Sequence, residues 1–351
     1  AYATFNKTFN EKHAITVIAG FNQEEYRYEN TQLGRKDLIS TSLPTLGLAT
    51  GDMSVSESIT TWALRGGYAR FNYTFDDKYI AEFNGRYDGT SRFPKDSRFV
   101  FNPSGSVAWV VSREKFFKPF ENIFSFFKLR YSYGVLGNQD VGAYEYIATM
   151  GSGKTSQIID GEQPVYVNAP GLVSGGLTWE KVSTSNLGVE MNFLNNRLTF
   201  NGDYYVRRTK DMLTTGEPLP NVLGTSVPKE NTADLKTEGW EITLGWKDRF
   251  KLGGKPFDYQ LGFNLADSRA YITKFKNTTG VLSSNYEGKE IGEIWGYTTL
   301  GFFTSQEDID NHADQSKLAS YASSRPIAPG DLKFADLNGD GEVYLSLIHI
   351  S

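Results

Sequence analysis

The chain has 351 residues, of which 39% are hydrophobic and 14% aromatic, and its formal net charge at pH 7 is −5. This acidity argues against a nucleic-acid partner, because nucleic acids bind basic surfaces. The sequence contains no cysteine, which excludes disulfide frameworks, thiol catalysis and cysteine-ligated zinc, and its apolar runs fall far short of the ~20 residues of a membrane-spanning helix.

The N-terminal segment, residues 1–9, already has the pattern of a β-strand. No signal peptide precedes this strand, although an exported protein is made with one. We therefore expect the chain to be a truncated piece of a longer exported protein.

Period-two alternation in segments of roughly ten residues continues along the chain. In residues 78–88, Tyr79, Phe83 and Tyr87 share one face, while Glu82 shares the other face with polar neighbours. A helix would distribute the apolar residues around its circumference, so the pattern predicts β-strands. The same alternation recurs, in chain order, in residues 128–135, 185–193, 197–207, 239–247 and 258–266.

These predicted strands are longer than the strands of soluble proteins, which average about five or six residues. Tyr79 and Tyr87 lie near opposite ends of one strand, ~26 Å apart along it. With a strand tilt of ~40°, this separation approaches the distance between the two aromatic girdles of an outer-membrane barrel. Trp240 and Trp246 bracket another strand in the same way.

The connections between the predicted strands alternate in length. Polar segments that are mostly long separate them on one side, at residues 22–59, 89–98, 137–182, 209–236 and after Asp267. On the other side lie short turns at Asn10-Glu11, Asp76-Asp77, Asn195-Asn196 and Gly253-Gly254, with a somewhat longer connector at residues 112–126. Outer-membrane barrels have short periplasmic turns and long extracellular loops, so the alternation predicts a transmembrane antiparallel β-barrel.

Residues 294–303 are apolar and aromatic and resemble a further spanning strand. If they spanned the membrane, the polar residues 304–342 would form a long periplasmic segment and break the alternation. We therefore place residues 294–303 within the last extracellular excursion, which leaves about ten spanning strands.

Short motifs occur along the chain in a characteristic order and spacing. They are Tyr87-Asp88-Gly89-Thr90-Ser91-Arg92-Phe93, Phe101-Asn102-Pro103-Ser104, Val107-Ala108-Trp109, Leu129-Arg130-Tyr131-Ser132-Tyr133-Gly134, Gly137-Asn138-Gln139, Leu177-Thr178-Trp179-Glu180, Asn186-Leu187-Gly188, Asn195-Asn196-Arg197-Leu198, Asp203-Tyr204-Tyr205, Thr209-Lys210-Asp211, Glu238-Gly239-Trp240-Glu241, Gly296-Tyr297, Gly301-Phe302-Phe303 and Gly330-Asp331-Leu332. From near Phe5 to Val343, the chain resembles the SusC/RagA-type TonB-dependent transporters of Bacteroidetes-like bacteria.

The resemblance implies a 22-stranded outer-membrane barrel, of which about ten strands are present, together with a plug domain and a TonB box outside this chain. It also implies a SusD-like surface lipoprotein as a lid, and import of oligosaccharides or peptides with inner-membrane energy through TonB. A siderophore-type TonB-dependent receptor is one alternative. The other is a soluble extracellular β-sandwich that binds sugars or mediates adhesion.

The chain departs from the family pattern in two places. Ala233 stands where the family usually has glycine. The last eight residues, 344–351, read YLSLIHIS and break the pattern. We expect residues 1–343 to be a partial barrel domain and residues 344–351 to be a non-native tail, which sequencing reads that continue unbroken through codon 344 would contradict.

Two segments resemble ligand-binding loops. Gly151-Ser152-Gly153-Lys154-Thr155 resembles the end of a phosphate loop, but Ala148 replaces its first glycine, so an extracellular loop is predicted. Asp336, Asn338, Asp340 and Gly341 match calcium-loop positions, but Leu347 replaces the bidentate glutamate. An Asx/Gly turn explains the same residues, and calorimetry with calcium separates these two interpretations.

No motif supports catalysis or a cofactor, so we predict that the chain is not an enzyme. His13, His312 and His349 lack zinc-site spacing. Glu82, Asp203 and Glu241 alternate with apolar residues, as groups inside a barrel do. Four aromatic residues in the loops are candidates for stacking on sugars, for membrane-interface anchoring or for loop packing: Tyr166, Trp179, Tyr286 and Trp295.

Ten strands alone would leave two unpaired sheet edges, which lipid does not tolerate. We therefore expect the isolated chain to aggregate and not to form a pore. Ion conductance from the isolated chain in planar bilayers would contradict this expectation.

Overall fold

The structure, a computed structural model, describes residues 1–216, 219–277, 285–294, 296–318 and 325–343. The chain divides into two compact units at residues 273 and 274. Among the described residues, no helix has the length and apolarity needed to cross a bilayer. The predicted non-native tail, residues 344–351, lies outside the described residues, as does Trp295.

The first unit is built on one ten-stranded sheet in which strands adjacent in the chain are also adjacent in the sheet. Its strands are β1 (Tyr2–Phe9), β2 (His13–Arg35), β3 (Met53–Phe75), β4 (Tyr79–Thr90), β5 (Phe99–Val110), β6 (Phe124–Asn138), β9 (Glu180–Phe193), β10 (Leu198–Thr215), β11 (Lys229–Leu252) and β12 (Lys255–Lys274). The pairs from β1 to β11 are antiparallel. The predicted all-β antiparallel fold with about ten strands is confirmed, and the structure shows that these strands form a meander.

The four predicted short turns have the backbone geometry of tight hairpins. Both central residues have positive φ angles in each of them: 47° and 57° in Asn10-Glu11, 48° and 53° in Asp76-Asp77, 57° and 62° in Asn195-Asn196, and 58° and 82° in Gly253-Gly254. Positive φ at two successive residues matches the right-handed twist of the flanking strands, and Asn, Asp and Gly adopt it most readily. The connector between β5 and β6 instead contains short 3₁₀ helices at Val111–Arg113 and Lys115–Phe120.

Several strands extend beyond their predicted ends. The prediction of a continuous loop over residues 22–59 is wrong, because β2 and β3 stay paired from Asn22↔Gly66 to Arg35↔Met53. Each of these strands has 23 residues, ~76 Å of chain, which is more than twice what a membrane requires. Likewise, β10 extends into the predicted loop 209–236 as far as Thr215, β11 begins within that loop at Lys229, and β12 continues past Asp267 to Lys274. In the extensions of β2 and β3 the alternation of apolar residues fades while backbone pairing continues, because the ladder of backbone hydrogen bonds does not depend on the side-chain pattern.

The two faces of the sheet differ in chemistry. Large apolar side chains are exposed on one face, and the register aligns several of them in rows across the strands. One such row is Phe5, Val17, Phe71 and Phe83, of which Phe83 is 55% exposed. A soluble sandwich would cover this face with a second sheet, but in the described part of the chain the ten strands form a single sheet.

The second unit contains a two-stranded sheet of β13 (Thr299–Phe302) and β14 (Leu332–Phe334), and a short helix α1 (Gln306–Asp310). The side chain of Gln315 is buried and bonds to the backbone of β14 at both Leu332 and Phe334. Strand β13, Thr299–Phe302, is paired with β14 and is not part of the ten-stranded sheet. This pairing agrees with our placement of residues 294–303 outside the spanning strands. Within the loop between β6 and β9, β7 (Ser152–Lys154) and β8 (Val165–Val167) form a separate hairpin.

Candidate functional site

The polar face of the sheet carries linked charges, beginning on β3 and β4. The carboxylate of Glu82 pairs with Arg70 and accepts hydrogen bonds from the side-chain amides of Asn72 and Asn84, at 3.1 and 2.9 Å. All four residues lie on the same face because their positions alternate with the exposed apolar row. Glu82 thus occupies the polar face, as its sequence position predicts.

A second group of polar side chains lies towards the long-loop end of β4. The guanidinium of Arg86 donates to Asp88 at 2.7 Å and to the side-chain oxygen of Asn22 at 3.0 Å. Asp88 also accepts a hydrogen bond from Asn102, which is buried. These contacts join β2, β4 and β5 through side chains in addition to their backbone ladders.

A third group runs across β6, β9 and β10. Lys128 and Arg130 lie 3.2 and 3.1 Å from the carboxylate of Glu190, and Arg130 also bonds to Asp203 at 2.6 Å. On the neighbouring strand β11, Glu241 is paired in register with Asp203 of β10. The polar face therefore carries cations and carboxylates in direct contact, and it presents fixed charge and many hydrogen-bonding groups to the space in front of it.

A small apolar core forms at the long-loop end of the sheet, from Phe93, Val141, Leu177 and Trp179. The rings of Phe93 and Trp179 lie 5.3 Å apart, and the indole N–H of Trp179 donates to the backbone oxygen of Arg98 at 3.2 Å. Only 4% of Trp179 is exposed. This candidate for sugar stacking therefore has the loop-packing role that was its alternative. The sequence alone did not indicate its partners Phe93 and Val141, since neither belongs to an alternating segment.

Residues 139–147 are fastened to distant parts of the sheet. Arg92 donates to the backbone oxygen of Val141 at 3.0 Å, Tyr144 lies 2.6 Å from the hydroxyl of Thr61 in β3, and Glu145 pairs with Lys229 in β11 at 3.1 Å. Strands β3 and β11 are six places apart in the sheet, ~29 Å if the sheet were flat. Residues 139–147 thus connect separate regions of the ten-stranded sheet, here called the wall, at the end where the long loops emerge.

The other two described aromatic candidates lie in different surroundings. Tyr166 is in the hairpin strand β8 and is 44% exposed. The hydroxyl of Tyr286 donates to Glu293 at 2.7 Å, and Lys289 lies over its ring. The bond to Glu293, followed by burial, raises the pKa of Tyr286. Of the two candidates in the first unit, Tyr166 is therefore exposed and Trp179 is buried in the loop core.

The two loops that resemble ligand sites have local explanations. Gly151-Ser152-Gly153-Lys154-Thr155 lies at the β7 strand of the β7–β8 hairpin, without the strand-to-helix switch of a phosphate loop. In the Asp336 loop, the two carboxylate oxygens of Asp336 accept the backbone N–H groups of Gly339 and Gly341, at 2.8 and 2.9 Å. Asp340 accepts the backbone N–H of Glu342, two residues further on, at 2.9 Å, which is the bond of an Asx turn.

The described acidic and histidine residues do not cluster as metal ligands do: among them, no group of three or more could hold an ion. His13 contacts the hydroxyl of Tyr73 at 2.8 Å, and His312 contacts the backbone oxygen of Phe334 at 2.8 Å. His349 and Leu347 lie outside the described residues. Glu342, which follows the Asp336 turn, pairs with Lys317 at 2.6 Å.

Comparison with known proteins identifies relatives along nearly the whole chain. Residues 1–324 match the family model described as TonB dependent receptor-like, beta-barrel. TonB-dependent receptor P39 of Formosa agariphila is 30% identical over 97% of this chain and 35% of its own length. TonB-dependent receptor SusC of Bacteroides thetaiotaomicron is 28% identical over 79% of this chain and 27% of its own length.

A solved structure of the RagAB peptide transporter is similar in three dimensions. Its TM-score is 0.71 at 25% identity, and the match covers 86% of this chain and 33% of that one. The chain thus spans about a third of the length of the curated relative P39 and about a quarter of that of SusC. The apolar face of the sheet corresponds to the lipid-facing side of such a barrel, and the polar face to its lumen.

Proposed function

Because the chain belongs to the TonB-dependent receptor-like β-barrel family, we propose that it is part of the wall of an outer-membrane transporter that imports oligosaccharides or peptides with energy delivered through TonB. The observation that carries the proposal is the two-faced ten-stranded meander, whose apolar face suits lipid and whose charged face suits a water-filled lumen. The family match over residues 1–324 assigns the wall to this class of receptor.

The partners and the cargo follow from the same relatives. One is named SusC, and a second is described as the RagAB peptide transporter. We propose that the whole protein pairs with a SusD-like surface lipoprotein and couples to TonB through segments outside this chain. The similarity to RagAB at a TM-score of 0.71 favours this class over the siderophore-type alternative. The predicted boundary at residue 343 and the non-native origin of residues 344–351 stay predictions.

The first experiment tests the placement of the wall in the membrane. This chain contains no cysteine, so single cysteines introduced into a cysteine-free full-length parent report accessibility directly. In outer-membrane fractions, Asn84→Cys should react with a water-soluble maleimide, because it faces the lumen. Its matched neighbour, Phe83→Cys, should react slowly, because lipid covers it. Equal labelling at both positions, or recovery of the parent in the soluble fraction, would contradict the proposal.

The second experiment tests transport. Cells lacking the full-length parent should lose uptake of a labelled oligosaccharide or peptide pool, and an uncoupler of the inner-membrane proton gradient should abolish the same uptake in normal cells. Deletion of the neighbouring lipoprotein gene is the matched comparison for the lid. Uptake that persists without the parent would refute the assignment as an importer.

A further inference from the structure

The apolar face of the sheet contains a groove of about 420 Å³ near the end of the strands that carries the short turns. Its floor is formed by Ala81 and Val107, which are paired across β4 and β5. Tyr73 pairs with Ala81 on one side, and Tyr131 pairs with Val107 on the other. Two small side chains between two tyrosine rings thus produce a channel on a surface that is otherwise crowded with large residues.

Two aromatic residues, Tyr79 and Trp109, close the groove at its short-turn end, where they pair across β4 and β5. The hydroxyl of Tyr79 donates to Glu114 at 2.5 Å, and the indole N–H of Trp109 donates to the same carboxylate at 3.3 Å. Their polar atoms are therefore bound to the connector after β5, and their ring carbons line the groove. This is the arrangement of an aromatic girdle, with an apolar body in hydrocarbon and a polar tip at the interface.

Beyond the girdle, cations and carboxylates alternate along the turns. Lys78 lies 3.0 Å from Asp76, and Arg113 lies 2.7 Å from Asp77. Lys78 also lies 3.9 Å from Glu114, so the group has two positive and three negative side chains, and Arg113 and Asp77 are at least half exposed. A surface with both signs of charge side by side complements a headgroup that carries both a phosphate and an ammonium, and it lacks the excess of cations that would select an anionic headgroup.

We propose that this groove is a binding site for one acyl chain of a zwitterionic phospholipid of the periplasmic leaflet, with its headgroup among Lys78, Arg113, Asp76 and Asp77. The site lies on the membrane-facing side of the wall, so hydrocarbon is the material available to fill it. An empty groove would forfeit dispersion contacts with the surrounding rings, and a single ordered chain restores them. Placement next to the short turns assigns the periplasmic leaflet.

The test is lipid retention by the full-length parent, measured by native mass spectrometry after exchange into a mild detergent. Ala81→Phe fills the floor of the groove. Ala69→Phe is the matched control, because Ala69 lies on the same face of β3, paired with Gly85 and outside the groove. The unchanged protein and Ala69→Phe should each retain one phosphatidylethanolamine, and retention should fall about tenfold, or ~1.4 kcal/mol, in Ala81→Phe. Equal retention in all three proteins would overturn the site.

A second measurement tests the headgroup. The delipidated parent should take up phosphatidylethanolamine in preference to phosphatidylglycerol with the same acyl chains, and the preference should diminish in the double variant Asp76→Asn, Asp77→Asn. Equal or stronger retention of phosphatidylglycerol would overturn the assignment to a zwitterionic lipid. The groove is on the face opposite the lumen, so either failure would leave the transport experiment unaffected.

Discussion

Asp331 illustrates how single contacts set the charge state of a residue in the second unit. Arg325 donates two hydrogen bonds to its carboxylate, at 2.7 and 2.5 Å, and the backbone N–H of Ala328 donates a third at 2.9 Å. These bonds lower the pKa of Asp331 from 3.8 to about 2. A depressed folded-state pKa means that the ionised form stabilises the fold above pH ~3.8, and that this contribution is lost as the pH falls towards 2.

We expect Arg325→Gln to raise the pKa of Asp331 towards its ordinary value, because the principal cause of the shift is removed. The change is measurable by carboxyl ¹³C NMR of the aspartate-labelled protein in detergent. Lys317→Gln, which removes a different ion pair of the same unit, should leave the Asp331 titration in place. An unchanged titration in Arg325→Gln would show that the backbone donor alone maintains the shift.

The buried ring of Phe93 supports the loops at the long-loop end of the sheet. It has no exposed surface, and it packs against Trp179 and Val141. Phe93→Ala should destabilise this small core by about 3 kcal/mol, since a buried phenylalanine leaves both a cavity and lost burial. Hydrogen exchange in residues 139–147 should then accelerate. Phe101→Ala, on the exposed apolar face, is the matched control and should leave that exchange unchanged.

At the scale of elements, hairpin turns and strand pairing have separate origins. The turns depend on a few residues that accept positive φ angles, whereas the strands depend on long backbone ladders such as that between β2 and β3. Where a turn residue is poorly suited to positive φ, the hairpin is less stable than its pairing allows. Glu11, with φ of 57°, is such a residue.

We expect Glu11→Gly to stabilise the β1–β2 hairpin and Glu11→Val to destabilise it, each by about 1 kcal/mol, because glycine accepts the left-handed conformation without the steric cost that other residues pay. The urea midpoint for refolding of the full-length parent into phospholipid vesicles measures both effects. Lys12→Gly is the control within the same turn, because the φ angle of Lys12 is not positive. A gain in stability from Lys12→Gly as large as that from Glu11→Gly would contradict this explanation.

At the scale of the whole wall, alternate residues of each strand face opposite sides of the sheet, one towards lipid and the next towards the lumen. Phe83 and Asn84 are adjacent in β4, yet one lies in an exposed apolar row and the other bonds to the charged lattice around Glu82. The same alternation places a lipid groove and a hydrated surface on opposite sides of the same strands. The chemistry of each face is therefore decided by residue parity.

We expect Phe83→Arg to reduce the stability of the membrane-inserted parent by roughly 2–4 kcal/mol, because a charge on the lipid face must enter hydrocarbon. Asn84→Arg should cost far less, since its side chain enters the lumen. Folding yields and urea midpoints in phospholipid vesicles compare the two variants directly. Equal losses would mean that the two faces do not differ in solvent, and would contradict the barrel assignment.

The sequence by itself determined the strand class, the short turns and the two-faced wall. Each of these follows from local patterns: alternation with a period of two, and paired Asn, Asp or Gly residues where φ must be positive. Glu82, Asp203 and Glu241 could be assigned to the polar face for the same reason. The family resemblance, also carried by local motifs, indicated the transporter class.

The tertiary structure alone decided where the strands end, what the loops contact and where the apolar face is indented. The extension of β2 and β3 to Arg35 and Met53 depends on backbone pairing, which does not depend on the side-chain pattern. The core around Phe93 joins residues from separate loops, and the groove above Ala81 depends on neighbours from four other strands, β3, β5, β6 and β9. Such contacts arise between positions far apart in the chain, so only the register of the folded sheet reveals them.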